Sequence, residues 1–477
     1  MVRLKLALLS GAVICVASAL ISLNACGGSS SSSQPPPPPP PPPQGKIKHV
    51  VIIFQENRTP DNLFQDPVLI SRGADIATQG QISSGQMVTL APTSLITDYD
   101  MPHEHGAFLV AWNNGSMNGA DRLGALCPPG NPNCAPQYPA YQYVQATDIQ
   151  PYLALAETYT FGDRMFQTNQ GPSFPAHQYI ISGTAAISEK SPIFAAENPN
   201  GNGQGTGCLA KTGASLETID TSQPDPHTKE VPTDQMCFEH PTLTDLLDAS
   251  QLSWKYYSPA NSSWWTGPNA INHMCGPNVP PPNATACVGA EWTNHVVIEG
   301  QQNQILNDIS AGQLATVSWV IPNGGASDHA GSNKGTGPSW VASIVNAIGT
   351  SQYWSDTAIL ITWDDWGGWF DHVAPPSIRN SYEYGFRVPL IVVSPYAKPA
   401  NISHVVHDFG SILKFIETMF GLSTVGPGDG YADSRADDLS DCFDFNQTPL
   451  TFTPVPAKFD ANYFQNDHSP VLPPDND

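Results

Sequence analysis

Four short, almost wholly apolar runs stand out along the chain. They cover residues 46–54, 315–321, 358–363 and 388–393. Runs of this length without polar alternation are typical of strands that are buried on both faces, as in a parallel sheet. We therefore predict that the four runs are strands of one central sheet.

Helical periodicity fills much of the sequence between these runs. In the second predicted helix, Thr242 and Asp245 have the spacing of a capping box, with Asp in place of Glu. Strands that alternate with helices indicate βαβ units. The predicted fold is therefore α/β, a doubly wound, mostly parallel sheet with helices on both faces. The predicted helices are residues 149–159, 242–249, 340–348 and 405–420.

Two long stretches rich in Gly, Pro, Asn and Cys interrupt this alternation. They lie at about residues 185–241 and 261–293. Such composition is typical of loops. We predict a single domain over residues 46–477, with these stretches as loop-rich insertions over one end of the sheet.

The first 45 residues are predicted to be an export signal and a tether. Arg3 and Lys5 precede an apolar run that ends in Leu23-Asn24-Ala25-Cys26, which resembles the lipobox of a bacterial lipoprotein signal over residues 1–26. A transmembrane anchor is the alternative. Residues 27–45 are a Gly/Ser segment followed by a polyproline run, a composition typical of spacers. We expect a periplasmic or surface lipoprotein attached through this lipid anchor, or, as the second choice, a secreted protein.

Cysteine usage agrees with export to an oxidising compartment. Nine cysteines occur, of which Cys15 and Cys26 lie in the signal. Short spacing within loops predicts two local disulfides, with a third as a plausible pair. No CxxC pair occurs, which argues against a zinc ribbon. The three predicted pairs are Cys127/Cys134, Cys275/Cys287 and Cys208/Cys237, with Cys442 left over.

Charge excludes some classes of partner. The 477 residues include 19 Lys and Arg against 42 Asp and Glu, a formal net charge of −23. So acidic a chain is not expected to bind nucleic acid or to be attracted electrostatically to anionic lipids. The hydrophobic share of 40% is enough for a sizeable core. A phosphate would have to be bound by a local site, and a metal ion is the simplest means.

Polar clusters directly follow two of the predicted strands. Glu56-Asn57 follows the first, and Asp364-Asp365 follows the third, ahead of Trp366-Gly367-Gly368. In open α/β sheets, ligands bind outside the carboxyl ends of the strands. Three carboxylates and an amide oxygen suit a hard divalent cation. The two clusters therefore suit a bound cation; a solvated turn or a helix cap is the alternative for the Asp pair.

Ser173 is the candidate nucleophile. It stands in Gly171-Pro172-Ser173-Phe174-Pro175, directly before a segment that can begin a helix. A hydroxyl there would lie near a helix N-terminus, which favours a phosphate, and a metal would lower its pKa. The alternative is an ordinary N-cap serine. The Gly-x-Ser-x-Gly elbow of α/β-hydrolases is absent around it.

Histidines beside acidic residues could stabilise a transferring phosphoryl group or protonate a leaving oxygen. Five histidines in such clusters are considered for this role, namely His103, His105, His273, His329 and His372. A single loop histidine is more often ordinary surface. That interpretation is preferred for His49, His105, His177 and His227.

The same residues resemble a known family. The segment from Glu56 to Phe64 is similar to the opening motif of the bacterial phosphoesterase family of phospholipases C and acid phosphatases, and further segments match in order from about Lys46 to Leu422. These further segments are residues 112–119, 171–182, 363–375 and 405–421.

The resemblance implies an alkaline-phosphatase-like fold and assigns roles to the residues named above. It implies that Ser173 is the attacking residue and also contacts the metal. His103 and His329 match histidines that contact the phosphate, and His273 matches more loosely. The implied metal ligands are Glu56, Asn57, Asp364, Asp365 and Ser173.

This chain departs from the family pattern at two places. It has Ala176-His177 where members often carry Asn-Arg after the proline. It has Asp408-Phe409 where an Asp-His pair often precedes the last helix. Both departures concern the specificity for the leaving group more than the class of reaction.

The sequence therefore predicts a metal-dependent phosphoric ester hydrolase with a serine nucleophile and a phosphoenzyme intermediate. It would act outside the cytoplasm as an acid phosphatase or a phospholipase C-like phosphodiesterase, on a small phosphate ester or a phospholipid. Trp264-Trp265 could form an apolar approach surface for lipid, or could pack in the core. A tethered, catalytically inactive binding protein is the alternative.

Overall fold

The computed structural model describes residues 45–200, 205–223, 229–298, 304–376, 382–426, 428, 430–467 and 471–472. The predicted export signal and all but the last residue of the tether lie outside these described residues. Within them, no helix has both the length and the apolar character needed to cross a membrane.

The described residues form fifteen strands, most of them short. In chain order they are β1 His49–Gln55, β2 Gln79–Gln81, β3 Met87–Thr89, β4 Ala91–Thr93, β5 Gln142–Val144, β6 Thr160–Gly162, β7 Ile193–Ala195, β8 Leu216–Asp220, β9 Glu230–Thr233, β10 Trp254–Ser258, β11 Val296–Ile298, β12 Val317–Val320, β13 Thr357–Trp363, β14 Leu390–Val393 and β15 Asn401–Ser403.

Twelve α-helices are present in the same described part of the chain. They are α1 Pro60–Leu63, α2 Pro67–Ser71, α3 His105–Trp112, α4 Gln150–Thr158, α5 Ser173–Ser182, α6 Leu243–Ala249, α7 Asn272–Cys275, α8 Ala290–His295, α9 Gln304–Ser310, α10 Gly337–Gly349, α11 Phe409–Phe420 and α12 Ala461–Gln465.

Eight of the strands form one mixed sheet in the order β11-β10-β12-β1-β13-β14-β6-β15. All neighbouring pairs are parallel except the two that involve β14, which runs against both β13 and β6. The strands β1, β12, β13 and β14, which the apolar runs predicted, are neighbours in the middle of this sheet. Their uniform burial explains why they lack polar alternation.

Helices cover both faces of this sheet. Successive side chains of a strand point to opposite faces. On one face, Phe54 of β1 packs edge-on against His177 of α5 and Phe409 of α11. On the other, Trp363 of β13, which lies opposite the next residue of β1, packs against Tyr152 of α4. The predicted doubly wound, mostly parallel α/β fold is confirmed.

Some local predictions need correction. The run 388–393 was expected in a parallel arrangement, but β14 is the antiparallel strand of the sheet. The last predicted helix begins at Phe409 rather than at residue 405, because Asn401–Ser403 forms the edge strand β15 and Val405 and Val406 are exposed. Four sheet strands were not predicted, since three to five residues carry too little pattern. These strands are β6, β10, β11 and β15.

The capping box predicted before α6 is confirmed. The Thr242 hydroxyl accepts from the Asp245 backbone N–H, and the Asp245 carboxylate accepts from the Thr242 N–H. These two bonds satisfy donors that the start of a helix leaves unpaired.

The three predicted disulfides are confirmed, and all lie in loop-rich parts of the chain. The region 185–241 also contains a small antiparallel sheet of β7, β8 and β9, and the region 261–293 contains only short helices. Cys442 is a buried free thiol. The disulfides are Cys127–Cys134, Cys208–Cys237 and Cys275–Cys287.

Trp264 and Trp265 are core residues rather than an apolar approach surface. Their side chains are 9% and 1% exposed. The backbone carbonyl of Trp265 accepts a hydrogen bond from the Tyr256 hydroxyl of β10. Of the two interpretations of this Trp pair, the structure supports packing in the core.

Candidate active site

The ends of β1 and β13 bring two of the polar clusters together. The strands are parallel neighbours, with Gln55 opposite Trp363 at their carboxyl ends. The next residues continue the pairing, because the Asp364 N–H donates to the Gln55 carbonyl at 2.8 Å. The Asn57 N–H donates to Asp364 Oδ1 at 3.0 Å. Glu56-Asn57 and Asp364-Asp365 therefore lie side by side.

Gly367 allows this close approach. Its φ of +60° lies in the left-handed region, and a Cβ built there would come 2.3 Å from the Asn57 carbonyl oxygen. Only glycine fits both conditions without strain. The Gly367 N–H donates to Asp365 Oδ1 at 2.7 Å, so the same turn also orients that carboxylate.

Ser173 reaches this cluster from another element. It is the first residue of α5 and is buried. Its Oγ lies 3.4 Å from both Glu56 Oε2 and Asp365 Oδ2. Three segments that are far apart in sequence therefore converge on one buried point.

The start of α5 offers fewer amide donors to an anion than its sequence suggested. The Phe174 N–H donates to the side-chain oxygen of Asn198 at 2.8 Å. Pro175, in the same first turn, has no N–H. The positive end of the helix dipole remains, but charge stabilisation at this site depends mainly on side chains.

The three carboxylates repel one another. Burial, followed by the charges of Asp364 and Asp365, raises the pKa of Glu56 well above its usual range. Burial, followed by the charge of Asp364, raises the pKa of Asp365 to about 7, although His103 and His329 act in the opposite direction. In the described part of the chain, no Lys or Arg pairs with these carboxylates. Buried negative charges in this arrangement require a cation or protons.

Unsatisfied oxygen atoms indicate where a cation fits. Within the described residues, Asp364 Oδ2 and Asn57 Oδ1 are buried and have no hydrogen-bond partner. The Asn57 amide is oriented by His103, whose Nε2 lies 3.1 Å from Asn57 Nδ2 and whose Nδ1 lies 2.7 Å from the Met101 carbonyl. A buried polar atom without a partner is costly, and a divalent cation with oxygen ligands removes that cost. The donor set fits such an ion.

His103 and His329 lie together beside this cluster. Their ring centroids are 5.5 Å apart in an edge-to-face arrangement. His329 Nδ1 lies 2.9 Å from the Ala330 carbonyl, and its ring is 6.2 Å from that of Trp265. Both rings are buried, which limits their mobility and leaves them suited to positioning a bound group.

The structure does not bring His273 to the cluster. Its side chain is 25% exposed, and its Nδ1 lies 2.7 Å from Glu239 Oε1. Its Nε2 lies 3.6 Å from Asp245 Oδ1, at the start of α6. The contacts described for His273 therefore explain it as part of a surface ion-pair group.

His177 is the residue that sequence reasoning missed. It was interpreted as ordinary surface, yet its ring is fully buried and Nε2 lies 3.3 Å from Glu56 Oε1. His105, given the same interpretation, is also buried. For His177 a signal existed. A helix beginning at Ser173 places the residue four positions later on the same face.

Sequence reasoning also missed Asp328, which holds the segment before His329 in place. Its Oδ2 accepts from the Tyr152 hydroxyl at 2.9 Å and from Trp363 Nε1 at 3.0 Å. Its N–H donates to Gln55 Oε1, and its carbonyl accepts from Arg58. These contacts fix the segment that carries His329 against β1 and β13.

The chain was compared with models of known protein families and with known proteins. Residues 47–423 match the model of the Phosphoesterase family. The chain belongs to that family. The resemblance that the motifs indicated, from about Lys46 to Leu422, is thereby confirmed over almost the same span.

The curated proteins that are similar to this chain include several bacterial phospholipases C. The hemolytic phospholipase C of Pseudomonas aeruginosa is 24% identical over 89% of this chain and 60% of its own length. The non-hemolytic phospholipase C of Burkholderia pseudomallei is 25% identical over 78% of this chain and 55% of its own. Phospholipase C A of Mycobacterium tuberculosis is 22% identical over 86% of this chain and 79% of its own length. The chain thus spans little more than half the length of the first two.

Remote likenesses to solved structures were also found. One is a protein in the alkaline phosphatase superfamily from Vibrio parahaemolyticus, with 10% identity, a TM-score of 0.36 and coverage of 83% of this chain and 70% of the other. Another is a phosphonate monoester hydrolase from Silicibacter pomeroyi, with 12% identity, a TM-score of 0.28 and coverage of 61% of this chain and 71% of the other. Because both TM-scores are low, the fold rests on the strand order itself.

Proposed function

We propose that this family member hydrolyses phosphoric esters in two displacements, with Ser173 as the nucleophile. One observation carries the proposal. The Ser173 hydroxyl lies 3.4 Å from two buried carboxylates, in a cluster that also holds the unsatisfied oxygens of Asp364 and Asn57. A nucleophile beside a cation-binding oxygen cluster is the arrangement that phosphoryl transfer requires.

One divalent cation belongs to this proposal. Its proposed ligands are Glu56, Asn57, Asp364, Asp365 and Ser173, and their burial and mutual repulsion support the assignment. When bound, the ion supplies positive charge that lowers the pKa of the serine and neutralises charge on the phosphoryl oxygens.

The protein residues account for the bonds that change. Ser173 Oγ releases its proton to solvent water and attacks phosphorus, and the bond between phosphorus and the leaving oxygen breaks. The leaving oxygen takes up a proton, for which His329 is the proposed donor, while His103 Nε2 accepts from Asn57 Nδ2 and positions that amide. Water then attacks the phosphoserine, which restores the serine and releases a phosphate or a phosphomonoester. His273 is not included, because its contacts lie elsewhere.

The substrate is proposed as a phosphate ester or phospholipid, with a phosphodiester favoured by the names of the similar phospholipases C. The buried Trp264-Trp265 pair removes one feature that had favoured a lipid surface. Turnover of p-nitrophenyl phosphate and of a phosphocholine diester should be compared on the purified protein. We expect the diester to be the better substrate; a preference for the monoester would identify a phosphatase instead.

The protein is proposed to act outside the cytoplasm. Three disulfides in its loops support an oxidising compartment. The export signal and the lipid anchor at Cys26 stay predictions from sequence.

The test of the proposed function is Ser173→Ala. We expect turnover to fall by at least about 10³-fold while the bound metal and the fold are kept, because removal of a nucleophile leaves only binding and charge stabilisation. Trapping with a labelled substrate should label wild-type protein on serine and leave the variant unlabelled.

Ser182→Ala is the matched control for this experiment. Ser182 lies in the same helix, is buried and donates to the Gln178 carbonyl. Removal of the Ser182 hydroxyl should leave turnover within a few-fold of wild type. If Ser173→Ala retains comparable turnover, Ser173 is not the nucleophile.

A further inference from the structure

We infer that His177 is an additional, direct ligand of the divalent cation, so that the site offers nitrogen as well as oxygen donors. The inference rests on the metal site of the proposed function and assigns it a ligand, and with it a class of metal.

Helix α5 brings His177 to the carboxylates. Ser173 and His177 are four residues apart in this helix and share a face. The ring is fully buried, and its Nε2 lies 3.3 Å from Glu56 Oε1 and 3.9 Å from Asp364 Oδ2. Atoms bound to one metal at roughly 2.0–2.2 Å lie roughly 3–3.5 Å from one another, so both distances are near those of a shared ligand set. One ligand atom from each of Glu56, His177 and Asp364 lies within 4.8 Å of the other two.

The hydrogen bonds of Tyr256 determine which nitrogen of His177 carries the proton. The Tyr256 hydroxyl donates to the Trp265 carbonyl at 3.1 Å and accepts from the Gly267 N–H at 3.3 Å. Its single proton is therefore in use, and at His177 Nδ1, 3.4 Å away, it acts as acceptor. Nδ1 then carries the hydrogen, and Nε2 presents a lone pair.

A lone pair at Nε2 faces two carboxylate oxygens. Neither Glu56 Oε1 nor the unsatisfied Asp364 Oδ2 can donate to it when ionised. Three acceptors that lie this close together repel unless a proton or a cation lies between them, and a divalent cation satisfies all three at once. The edge contact with Phe54, at a centroid distance of 4.8 Å, holds the ring in this orientation.

A nitrogen donor changes the metal that the site prefers. Carboxylate and amide oxygens alone suit Ca²⁺ and Mg²⁺, whereas a site that includes imidazole suits Zn²⁺ or Fe²⁺. The inference therefore predicts selection of a metal from the zinc and iron group over calcium and magnesium.

The decisive measurement is X-ray absorption on the full chain, freed of metal and reloaded with Zn²⁺. Wild-type protein should show the outer-shell scattering of an imidazole ligand, and His177→Gln should lose it. By titration, the variant should bind Zn²⁺ at least about 10–100-fold more weakly, with affinity for Ca²⁺ changed by no more than about threefold.

His240→Gln is the matched control. His240 is also a buried histidine, and its Nδ1 lies 3.3 Å from the Pro241 carbonyl rather than near the carboxylates. The spectrum and the Zn²⁺ affinity of this variant should equal those of wild type. Should His177→Gln fail to fold, Tyr256→Phe tests the same geometry, because it removes the acceptor at His177 Nδ1. This variant should keep the imidazole scattering and should bind Zn²⁺ about tenfold more weakly than wild type.

The outcomes separate this inference from the proposed function. Zinc bound through oxygen atoms alone, or imidazole scattering that persists in His177→Gln, overturns the inference even if the protein cleaves phosphate esters. Imidazole scattering that depends on His177 in a protein without any turnover supports the inference and contradicts the proposed function.

Discussion

At the scale of single residues, Asp364 shows how the fold keeps buried carboxylates close together although they repel one another. Its Oδ1 accepts the backbone N–H groups of Asn57 and Asp365, so the side chain orders both polar segments. Its Oδ2 is buried, has no hydrogen-bond partner within the described residues and lies among other carboxylates. Oδ1 of Asp364 therefore stabilises the local structure, and Oδ2 is available to a cation.

The variant Asp364→Asn should separate these two effects. Asparagine keeps the Oδ1 acceptor and removes one of three mutually repelling carboxyl groups, so the metal-free protein should melt about 1–3 °C higher than wild type. The rise in melting temperature that added metal causes in wild type should be lost. Thermal melts with chelator and with added Zn²⁺ measure both.

Asp371→Asn is the contrasting control. Asp371 is a buried carboxylate too, but Arg387 Nε lies 3.0 Å from its Oδ1 and 3.1 Å from its Oδ2. Removal of this partner leaves a buried guanidinium underpaired, which costs about 3 kcal/mol, so the melting temperature should fall. If Asp364→Asn also lowers the melting temperature of the metal-free protein, the carboxylate repulsion described here is wrong.

At the scale of elements, the turn after β13 positions several parts of the site. Its two glycines accept positive φ values and close contacts. Gly367 lies against the Asn57 carbonyl, and Gly368 lies where a Cβ would come 2.4 Å from Met101 Cβ, in the segment that leads to His103. The turn thus brings together parts of the site that come from different strands and loops.

Gly367→Ala should destabilise the protein through this contact. The left-handed φ alone costs about 1–2 kcal/mol for alanine, and the clash with the Asn57 carbonyl should add about 1–3 kcal/mol. Denaturant unfolding measures the sum. Gly73→Ala is the control, because Gly73 also has a positive φ, of +99°, but an added Cβ would meet no atom within 4 Å. Equal losses in the two variants would show that the contact has no effect.

At the scale of the whole molecule, the disulfides stabilise loop-rich regions that have little regular structure of their own. Cys208–Cys237 closes a loop with a sequence separation of 29, and Cys127–Cys134 one with a separation of 7. In the chain-entropy model, the stabilisation from a disulfide increases with the length of the loop it closes. The two bonds therefore differ in their expected contribution to the free energy of unfolding.

Replacing each pair by serine tests this ordering. The Cys208/Cys237 double variant should lose about 1 kcal/mol more stability than the Cys127/Cys134 variant, following the logarithmic dependence on loop length. Denaturant unfolding under oxidising conditions measures both losses. The order would be reversed if strain in the folded state, rather than entropy of the unfolded chain, dominated.

Much of this protein was determined by its sequence alone. Buried central strands are uniformly apolar, so β1 and β13 were visible as runs, and polar residues immediately after them marked Glu56 and Asp364. The Cys127–Cys134 pair and the capping box at Thr242 are local as well. Such features depend on neighbours a few residues away, and a sequence records those neighbours directly.

Tertiary structure decided the rest. The direction of β14, the burial of Trp265, the place of His177 beside Glu56 and the distance of His273 from the cluster all depend on which distant segments pack together. A histidine in a helix has the same local pattern whether its ring faces solvent or a carboxylate. Only the packing of α5 against the end of β1 distinguishes the two, because burial and charge are set by residues far away in the chain.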